Sequence, residues 1–178
     1  MQQLEVINIL KNDLNFSDQS VKKLKKFTNL VLKENKNHNL IAKSTENQIW
    51  VRHILDSAQL VRFIDFRVKS LADLGTGAGF PGLVVEIFNK NRAFHVKLYE
   101  KSPVKRAFLK DIIDGLSLKI EIRGNVYDEI IDTDYIVSRA FKKLEAIIQV
   151  SREIAKKSHK LIILKGQNAQ KDLKKAFK

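Results

Sequence analysis

The first 65 residues carry apolar side chains at helical spacing. Over residues 18–35, apolar positions recur every three or four residues with lysines between them, which predicts an amphipathic helix. Residues 46–63 repeat the pattern, and a shorter helix is predicted near residues 3–11. Ser17 or Asp18 can cap the helix over 18–35, because a short polar side chain accepts a hydrogen bond from the first turn.

The pattern changes at Ser70, where short apolar runs begin to alternate with amphipathic stretches. The runs are SLADLG (70–75), HVKLYE (95–100), LKIEIRG (118–124), DYIVSRA (134–140) and KLIILKG (160–166). The intervening stretches predict helices at about 80–90, 102–114 and 141–156. Strands that alternate with helices indicate a mostly parallel sheet with helices on both faces. We therefore predict one compact α/β unit, with a core over 66–178 and a helical N-terminal cap over 1–65.

Four of the chain's seven glycines lie within eight residues, directly after the first predicted strand. In LADLGTGAGFPG (71–82), Gly75, Gly77 and Gly79 separate that strand from a helix. Glycine turns tightly at positive φ and lets backbone N–H groups approach a ligand that a Cβ would block. Glu100 ends the second predicted strand, 25 residues after Gly75, where an acid accepts hydrogen bonds from ribose hydroxyls. The pattern is typical of a nucleotide-binding α/β unit.

The glycine spacing leaves two cofactor classes open. Gly77, Gly79 and Gly82 match the Gly-x-Gly-x-x-Gly pattern of dinucleotide sites, but this match is displaced from the strand and contains Pro81. The Gly-x-Gly-x-Gly match in register with the strand is preceded by Asp73, which suits S-adenosylmethionine. That cofactor carries an ammonium and a sulfonium, so carboxylates and carbonyls should line its site. S-adenosylmethionine is favoured, and a nicotinamide-dependent oxidoreductase remains the alternative.

The net charge of +13 favours a polyanionic partner, with nucleic acid first. The surplus is concentrated at the C-terminus, where residues 142–178 hold 11 Lys or Arg against 3 Asp or Glu. A coding bias toward lysine is the alternative explanation, because 25 of the 33 basic residues are Lys.

Composition excludes several other classes of site. The absence of cysteine removes disulfides, thiolate metal sites and cysteine nucleophiles, and no His, Asp and Glu cluster has metal-ligand spacing. We therefore expect no metal. No apolar window is long enough for a membrane span, and the N-terminus does not have the pattern of a signal peptide. A cytoplasmic location is expected.

Four segments together resemble the glucose-inhibited division protein B (RsmG) family. They are NLIAKSTENQIWVRHILDS (39–57), LADLGTGAGFPGLVVEI (71–87), YIVSRAFKKLEAI (135–147) and LKG (164–166). The glycine loop alone is generic to methyltransferases, whereas the combination in this order is specific, and the likeness runs from about residue 20 to Gln167. The resemblance implies a Rossmann-like class I fold and methyl transfer from S-adenosylmethionine to guanine N7 in 16S ribosomal RNA.

The resemblance also implies roles for individual residues. Cofactor contacts would come from Gly75, Gly77, Gly79, Phe80, Glu100, Val126, Tyr127 and Arg139. Arg139 would also face the substrate, together with Asn39, His53 and Asp56 from the helical part. We expect Asp73 to support the cofactor loop through backbone N–H groups, and Lys142, Lys143 and Lys165 to contact RNA.

This chain departs from the family pattern in two places. The family usually has Arg, any residue and an acid where this chain has Asn125, Val126 and Tyr127, so the side-chain roles of that arginine and acid are lost. The family also continues past LKG with a strand hairpin, which we do not expect in this sequence. A non-catalytic RNA-binding module with a degenerate cofactor fold therefore stays open as an alternative.

The expected chemistry needs no general base. Guanine N7 has a free lone pair and no proton, so in-line displacement requires no prior deprotonation. Catalysis would come from positioning and electrostatics, and orientation effects reach roughly 7–11 kcal/mol. The target base is expected to be splayed out of its RNA fold. The substrate is expected to be 16S rRNA or the small ribosomal subunit. We expect the protein to be a monomer.

Overall fold

The structure, a computed structural model, describes residues 2–139, 141–166 and 168–176. Its α-helices are α1 (Gln3–Asn12), α2 (Asp18–Glu34), α3 (Asp56–Ala58), α4 (Gly82–Phe88), α5 (Pro103–Leu116), α6 (Leu144–Ile154) and α7 (Ala169–Ala176). Its strands are β1 (Ser70–Leu74), β2 (His95–Tyr99), β3 (Ile120–Arg123), β4 (Tyr135–Arg139) and β5 (Lys160–Leu164).

The five strands form a parallel sheet in the order β3-β2-β1-β4-β5. Each of the five apolar runs contains one strand, so the predicted parallel sheet is confirmed; Ala140, the last residue of the run 134–140, lies outside the described residues. The chain builds outward from β1 to β3 and then crosses to β4, which makes the crevice beside β1 the topological switch point. Open α/β sheets bind ligands at the carboxyl ends of the strands at that point.

The strand register brings three predicted site residues to the same edge of the sheet. Leu74, the last residue of β1, pairs with Tyr99 on one side and with Ser138 on the other. The residues that follow these three are Gly75, Glu100 and Arg139. They come from positions up to 64 residues apart, and the parallel register alone places their backbones side by side.

The helical N-terminal region packs onto the α/β core. One buried hydrophobic cluster contains Leu24 and Phe27 of α2 together with Phe80, Leu83 and Leu109 of the core. The Phe27 and Phe80 rings lie 4.9 Å apart between centroids. Because Phe80 belongs to the glycine-rich segment, this packing also fixes that segment against α2.

The continuous helix predicted over 46–63 is wrong. The chain instead forms a 3-10 turn (Lys43–Gln48), a π-helical turn (Trp50–Leu55), α3 and a second 3-10 turn (Gln59–Arg62). The apolar spacing correctly identified the buried face, but the backbone hydrogen bonds are partly replaced by tertiary ones, as described below.

Within the described residues, no helix is both long and apolar enough to cross a membrane. The same part of the chain contains no group of three or more His, Cys, Asp or Glu residues that could hold a metal ion.

Candidate functional site

A cavity of about 680 Å³ opens at the carboxyl ends of β1 and β4. Its floor is the glycine loop from Gly75 to Ala78 with Phe80, one wall is formed by residues between 40 and 59, and the rim includes Arg139 and residues 164–166. The position is the switch-point crevice that the topology predicts for a ligand. The cavity therefore joins the two parts of the chain that the sequence analysis linked to one site.

A larger, mostly apolar cavity of about 1290 Å³ lies along β5, between α6 and α7. It contains neither the glycine loop nor Arg139, although Gln59, Leu164 and Lys165 line both cavities. The smaller cavity contains the glycine loop together with His53, Asp56 and Arg139, so it is the candidate site.

The glycine loop has the backbone conformation that its sequence predicts. Gly75, Gly77 and Gly79 have φ angles of +69°, +60° and +101°, a region that residues with a Cβ rarely adopt. A Cβ at Gly77 would meet no heavy atom within 4 Å, whereas one at Gly75 would lie 2.3 Å from the Phe141 ring. Gly77 therefore leaves open space above the loop, while Gly75 makes room for packing.

Asp73 holds the loop from below. The side chain is fully buried, and its Oδ2 accepts hydrogen bonds from Thr76 Oγ1 at 2.6 Å and from the Gly82 N–H at 2.8 Å. Its Oδ1 is buried without a hydrogen-bond partner among the described residues. Burial raises the pKa of Asp73 to about 6, and the two hydrogen bonds oppose that rise.

Glu100 ties the loop to the end of β2. Its Oε2 accepts a hydrogen bond from the Gly77 N–H at 3.0 Å and its Oε1 accepts one from the Ser102 N–H at 2.8 Å. The carboxylate is buried, and each of its oxygens keeps a second lone pair for another donor. Glu100 therefore stands beside the one loop position that is open to a ligand.

Arg139 and His53 form a hydrogen-bonded pair above Phe80. Arg139 Nη2 lies 2.8 Å from His53 Nδ1, and the guanidinium carbon is 5.1 Å from the centre of the Phe80 ring. The His53 ring is also 5.1 Å from that of Phe80. The pair joins the helical N-terminal region to the end of β4, and the apolar ring beneath both groups excludes water from one side.

The irregular helix makes the Arg139 contact possible. In a regular α-helix the Asp56 N–H would donate to the carbonyl of Arg52, four residues earlier. In the π-helical turn it donates instead to the carbonyls of Val51 and His53. The carbonyl of Arg52 accepts from Arg139 Nη1 at 2.9 Å, so a tertiary hydrogen bond takes the place of a helical one.

The hydrogen bonds of His53 define its protonation state. Arg139 can only donate, so His53 Nδ1 must accept and the proton of the neutral ring sits on Nε2. The Nε2–H donates to Thr45 Oγ1 at 2.8 Å, and Thr45 in turn donates to the carbonyl of Ala42 at 2.7 Å. Burial, followed by the charges of Arg139 and Arg52, lowers the pKa of His53 to about 4. His53 is therefore neutral near pH 7.

Among the described residues that line the cavity, Asp56 is the one with a carboxylate. It is half-buried, and desolvation raises its pKa against the opposing effect of Arg52 and Arg139. The described residues contain no ion pair or hydrogen bond between the Asp56 side chain and Arg52 or His53.

The cavity is otherwise rich in cations. Arg52, Lys105, Arg139 and Lys165 line it. Lys165 Nζ lies 2.7 Å from a carboxylate oxygen of Asp172 in α7, so the positive charge of Lys165 is balanced by that carboxylate.

Several of the predicted site residues do not line this cavity. Asn39 is exposed, Val126 is buried, and Lys143 is exposed at the start of α6. Lys142 donates a hydrogen bond to the Tyr127 hydroxyl at 2.6 Å and lies over the Tyr127 ring. This contact between Lys142 and Tyr127 joins the segment after β4 to the segment after β3.

Other residues at the site were missed. Asn35 is buried and its Oδ1 accepts hydrogen bonds from the N–H groups of Leu40 and Ile41, which shapes the cavity wall beside Asn39. Thr45, which accepts a hydrogen bond from His53, was not predicted as a site residue. Nothing in the local pattern distinguishes these two from other short polar residues, because their partners are set by the tertiary structure.

Comparison with known proteins identifies the family. The family described as GidB: rRNA small subunit methyltransferase G matches residues 20–178 of this chain. The chain belongs to that family. The match covers the helical region from α2 onward, the glycine loop and the whole described sheet.

Two members of the methyltransferase G family illustrate the degree of similarity. Ribosomal RNA small subunit methyltransferase G of Pelagibacter ubique (strain HTCC1062) is 34% identical over 157 residues, which is 85% of this chain and 74% of that protein. The protein of the same name from Rickettsia akari (strain Hartford) is 37% identical over 153 residues, 85% of this chain and 78% of that protein.

A solved structure supports the same fold. Cofactor-bound Rv0187 from MTB superimposes with a TM-score of 0.60 and covers 99% of this chain and 84% of that one, at 12% identity. At this identity the likeness concerns the fold alone, and it agrees with the Rossmann-like architecture predicted from the sequence.

Proposed function

We propose that this member of the methyltransferase G family uses S-adenosylmethionine to methylate guanine N7 in 16S ribosomal RNA. The observation that carries the proposal is the arrangement around one cavity: an open glycine loop with Glu100 beside it, faced by the Arg139–His53 pair. The two relatives are named as methyltransferases of small-subunit ribosomal RNA.

The residues present fit this cofactor. Its ammonium and sulfonium need acceptors, and the Glu100 carboxylate lies beside the loop, where Oε2 accepts from the Gly77 N–H. The empty space where a Cβ of Gly77 would lie allows close approach to the backbone. Glu100, Gly75 and Gly77 would hold the cofactor, which supplies an activated methyl group when bound. Val126 and Tyr127 would flank its adenine beyond the described cavity.

Arg139 and His53 would orient the substrate base. Two N–H groups of Arg139 are engaged by the Arg52 carbonyl and by His53, which fixes the guanidinium plane above Phe80. A neutral His53 does not add charge to the site, and it does not need to accept a proton because guanine N7 carries none. The proposed contribution of this pair is therefore positioning and electrostatics.

The RNA would approach from the cationic rim. Arg52, Lys105 and Lys165 line the cavity, and Lys143 is exposed at the start of α6. Such contacts fix the register of the RNA on the protein without reading its sequence. We further propose that residues 1–65 and 66–178 act as one unit, that the protein is a monomer, and that it acts in the cytoplasm, where ribosomal subunits are found.

Family membership favours methyl transfer over both alternatives. The RNA-binding alternative predicts steep salt dependence of RNA binding without any affinity for S-adenosylmethionine.

A calorimetric titration with S-adenosylmethionine, S-adenosylhomocysteine and NAD in parallel tests the proposal. Binding of the first two without binding of NAD is expected. A labelled-methyl assay on small subunits that lack the modification then tests the substrate, with mapping of the labelled base. Binding of NAD alone, or methylation of another atom, would contradict the proposal.

A further inference from the structure

Asp56 presents an unpaired carboxylate inside a cationic cavity. Among the described residues, four cations and this one carboxylate line the site. Lys165 has a carboxylate partner in Asp172, whereas Asp56 makes no side-chain hydrogen bond or ion pair with any described residue. The Asp56 carboxylate is only half-buried and still reaches solvent, so it can accept hydrogen bonds from a ligand that enters the cavity.

Guanine has donors that match such a carboxylate. Its N1–H and N2–H₂ groups lie side by side on one edge, and the two oxygens of a carboxylate can accept both. Its N7 and O6 are acceptors on the adjoining edge. Adenine also has an N7 atom, but it presents an acceptor at N1 and a donor at N6. A carboxylate on the N1 and N2 edge therefore distinguishes the two purines that could offer N7.

The cavity has groups for both edges of guanine. Asp56 and the glycine loop line the same cavity, so a base held there with N7 toward the loop can turn its N1 and N2 edge toward Asp56. Arg139 uses two of its five N–H groups on described residues, which leaves donors for O6. Asp56 would then accept hydrogen bonds from one edge of the base, and Arg139 would donate to the other.

The charge change on methylation makes the same carboxylate useful during the reaction. The N7 lone pair forms the bond to the methyl carbon, the electrons of the carbon–sulfur bond stay with sulfur, and no proton is released. The base becomes positively charged as a result. Arg52, Lys105 and Arg139 oppose that charge, whereas Asp56 stabilises it as it develops.

We infer that Asp56 reads the N1–H and N2–H₂ edge of the target guanine and so determines that a guanine, not an adenine, is methylated. The inference rests on the proposed function and adds to it the atom-level basis of base selection. Its partner in recognition is Arg139, which would donate to O6.

Replacing one substrate atom and one side chain together tests the contact. The rRNA is prepared by ligation with guanosine or with inosine, which lacks the N2 amino group, at the mapped methylation position. The wild-type protein should bind and methylate the inosine RNA roughly tenfold less well, the effect of one charged hydrogen bond. Asp56→Asn and Asp56→Ala should weaken the binding and methylation of the guanosine RNA. Neither variant should show a further loss of binding or methylation with the inosine RNA. Asp111→Asn, the same change on an exposed face of α5, should keep the wild-type ratio.

Two equilibrium measurements separate this inference from other roles of Asp56. RNA affinity is measured in the presence of S-adenosylhomocysteine, and the affinity for S-adenosylhomocysteine alone is measured by calorimetry. The Asp56 variants should bind S-adenosylhomocysteine as tightly as the wild type does. A parallel loss of S-adenosylhomocysteine binding would assign Asp56 to the cofactor ammonium and overturn the inference, as would an inosine penalty that persists in both variants. A wild-type protein that binds no cofactor would overturn the proposed function itself.

Discussion

The neutral state of His53 predicts that acid destabilises the protein through this one residue. The pKa of His53 is lowered from 6.5 to about 4 in the folded state by burial and by Arg139 and Arg52. The folded state therefore binds fewer protons at this site than the unfolded chain. The stabilisation is complete above pH 6.5 and is lost as the pH falls from 6.5 through 4.

The magnitude follows from the two pKa values. From pH 7.5 to pH 5 the lowered pKa should reduce the free energy of unfolding by about 2 kcal/mol, with a limit of about 3 kcal/mol below pH 4. His53 is 8% exposed, so solvent screening reduces this value little. The physical reason is that a protonated ring cannot accept from Arg139 and would hold two cations together in a buried position.

His53→Asn provides the comparison. The amide oxygen of Asn can take the place of Nδ1 and accept from Arg139, but Asn does not titrate and does not reach Thr45. Urea unfolding of both proteins at pH 7.5 and pH 5 can be followed by the fluorescence of Trp50, which is the single Trp of the chain and is buried one helical turn from His53.

The expected result is a difference between the two proteins in how stability depends on pH. The wild type should lose about 2 kcal/mol more than His53→Asn between the two pH values. Asp73 and Glu86, whose pKa values burial raises to about 6 and about 7, change stability in the opposite direction, but they titrate in both proteins and cancel. Equal losses in the two proteins would refute the neutral, buried state of His53.

Three further substitutions test the cofactor and substrate assignments. Gly77→Val should abolish S-adenosylmethionine binding in calorimetry, because the valine side chain fills the space above the loop. Because position 77 has a positive φ, the same substitution should lower the free energy of unfolding by about 1–2 kcal/mol. Normal cofactor binding would contradict the loop assignment. Glu100→Ala should weaken cofactor binding by about 1.5–3 kcal/mol, the value of charged hydrogen bonds, and an unchanged affinity would remove Glu100 from the site. Arg139→Ala should reduce turnover more than RNA affinity in single-turnover and binding assays; an equal loss in both would assign Arg139 to docking instead.

The sequence was sufficient to predict the sheet and the loop that follows its first strand. Short apolar runs bounded by polar residues determine strands through burial on both faces, and the glycines of the loop are required by backbone sterics at positive φ. These are local constraints, so they are visible in a short window of sequence. Glu100 and Arg139 were found for the same reason, because each directly follows a strand and parallel strands end at one edge.

What only the tertiary structure decided is how the helical region completes the site. The sequence pattern predicted a regular helix over 46–63, and the structure replaces it with a π-helical turn whose free carbonyl at Arg52 binds Arg139. The protonation state of His53 depends on Arg139, 86 residues away in the chain. Among the described residues, the lack of a hydrogen-bond or ion-pair partner for the Asp56 carboxylate likewise depends on the positions of distant groups. Hydrogen bonds between distant segments and the desolvation of buried charges depend on three-dimensional proximity, which helical and strand periodicity does not encode.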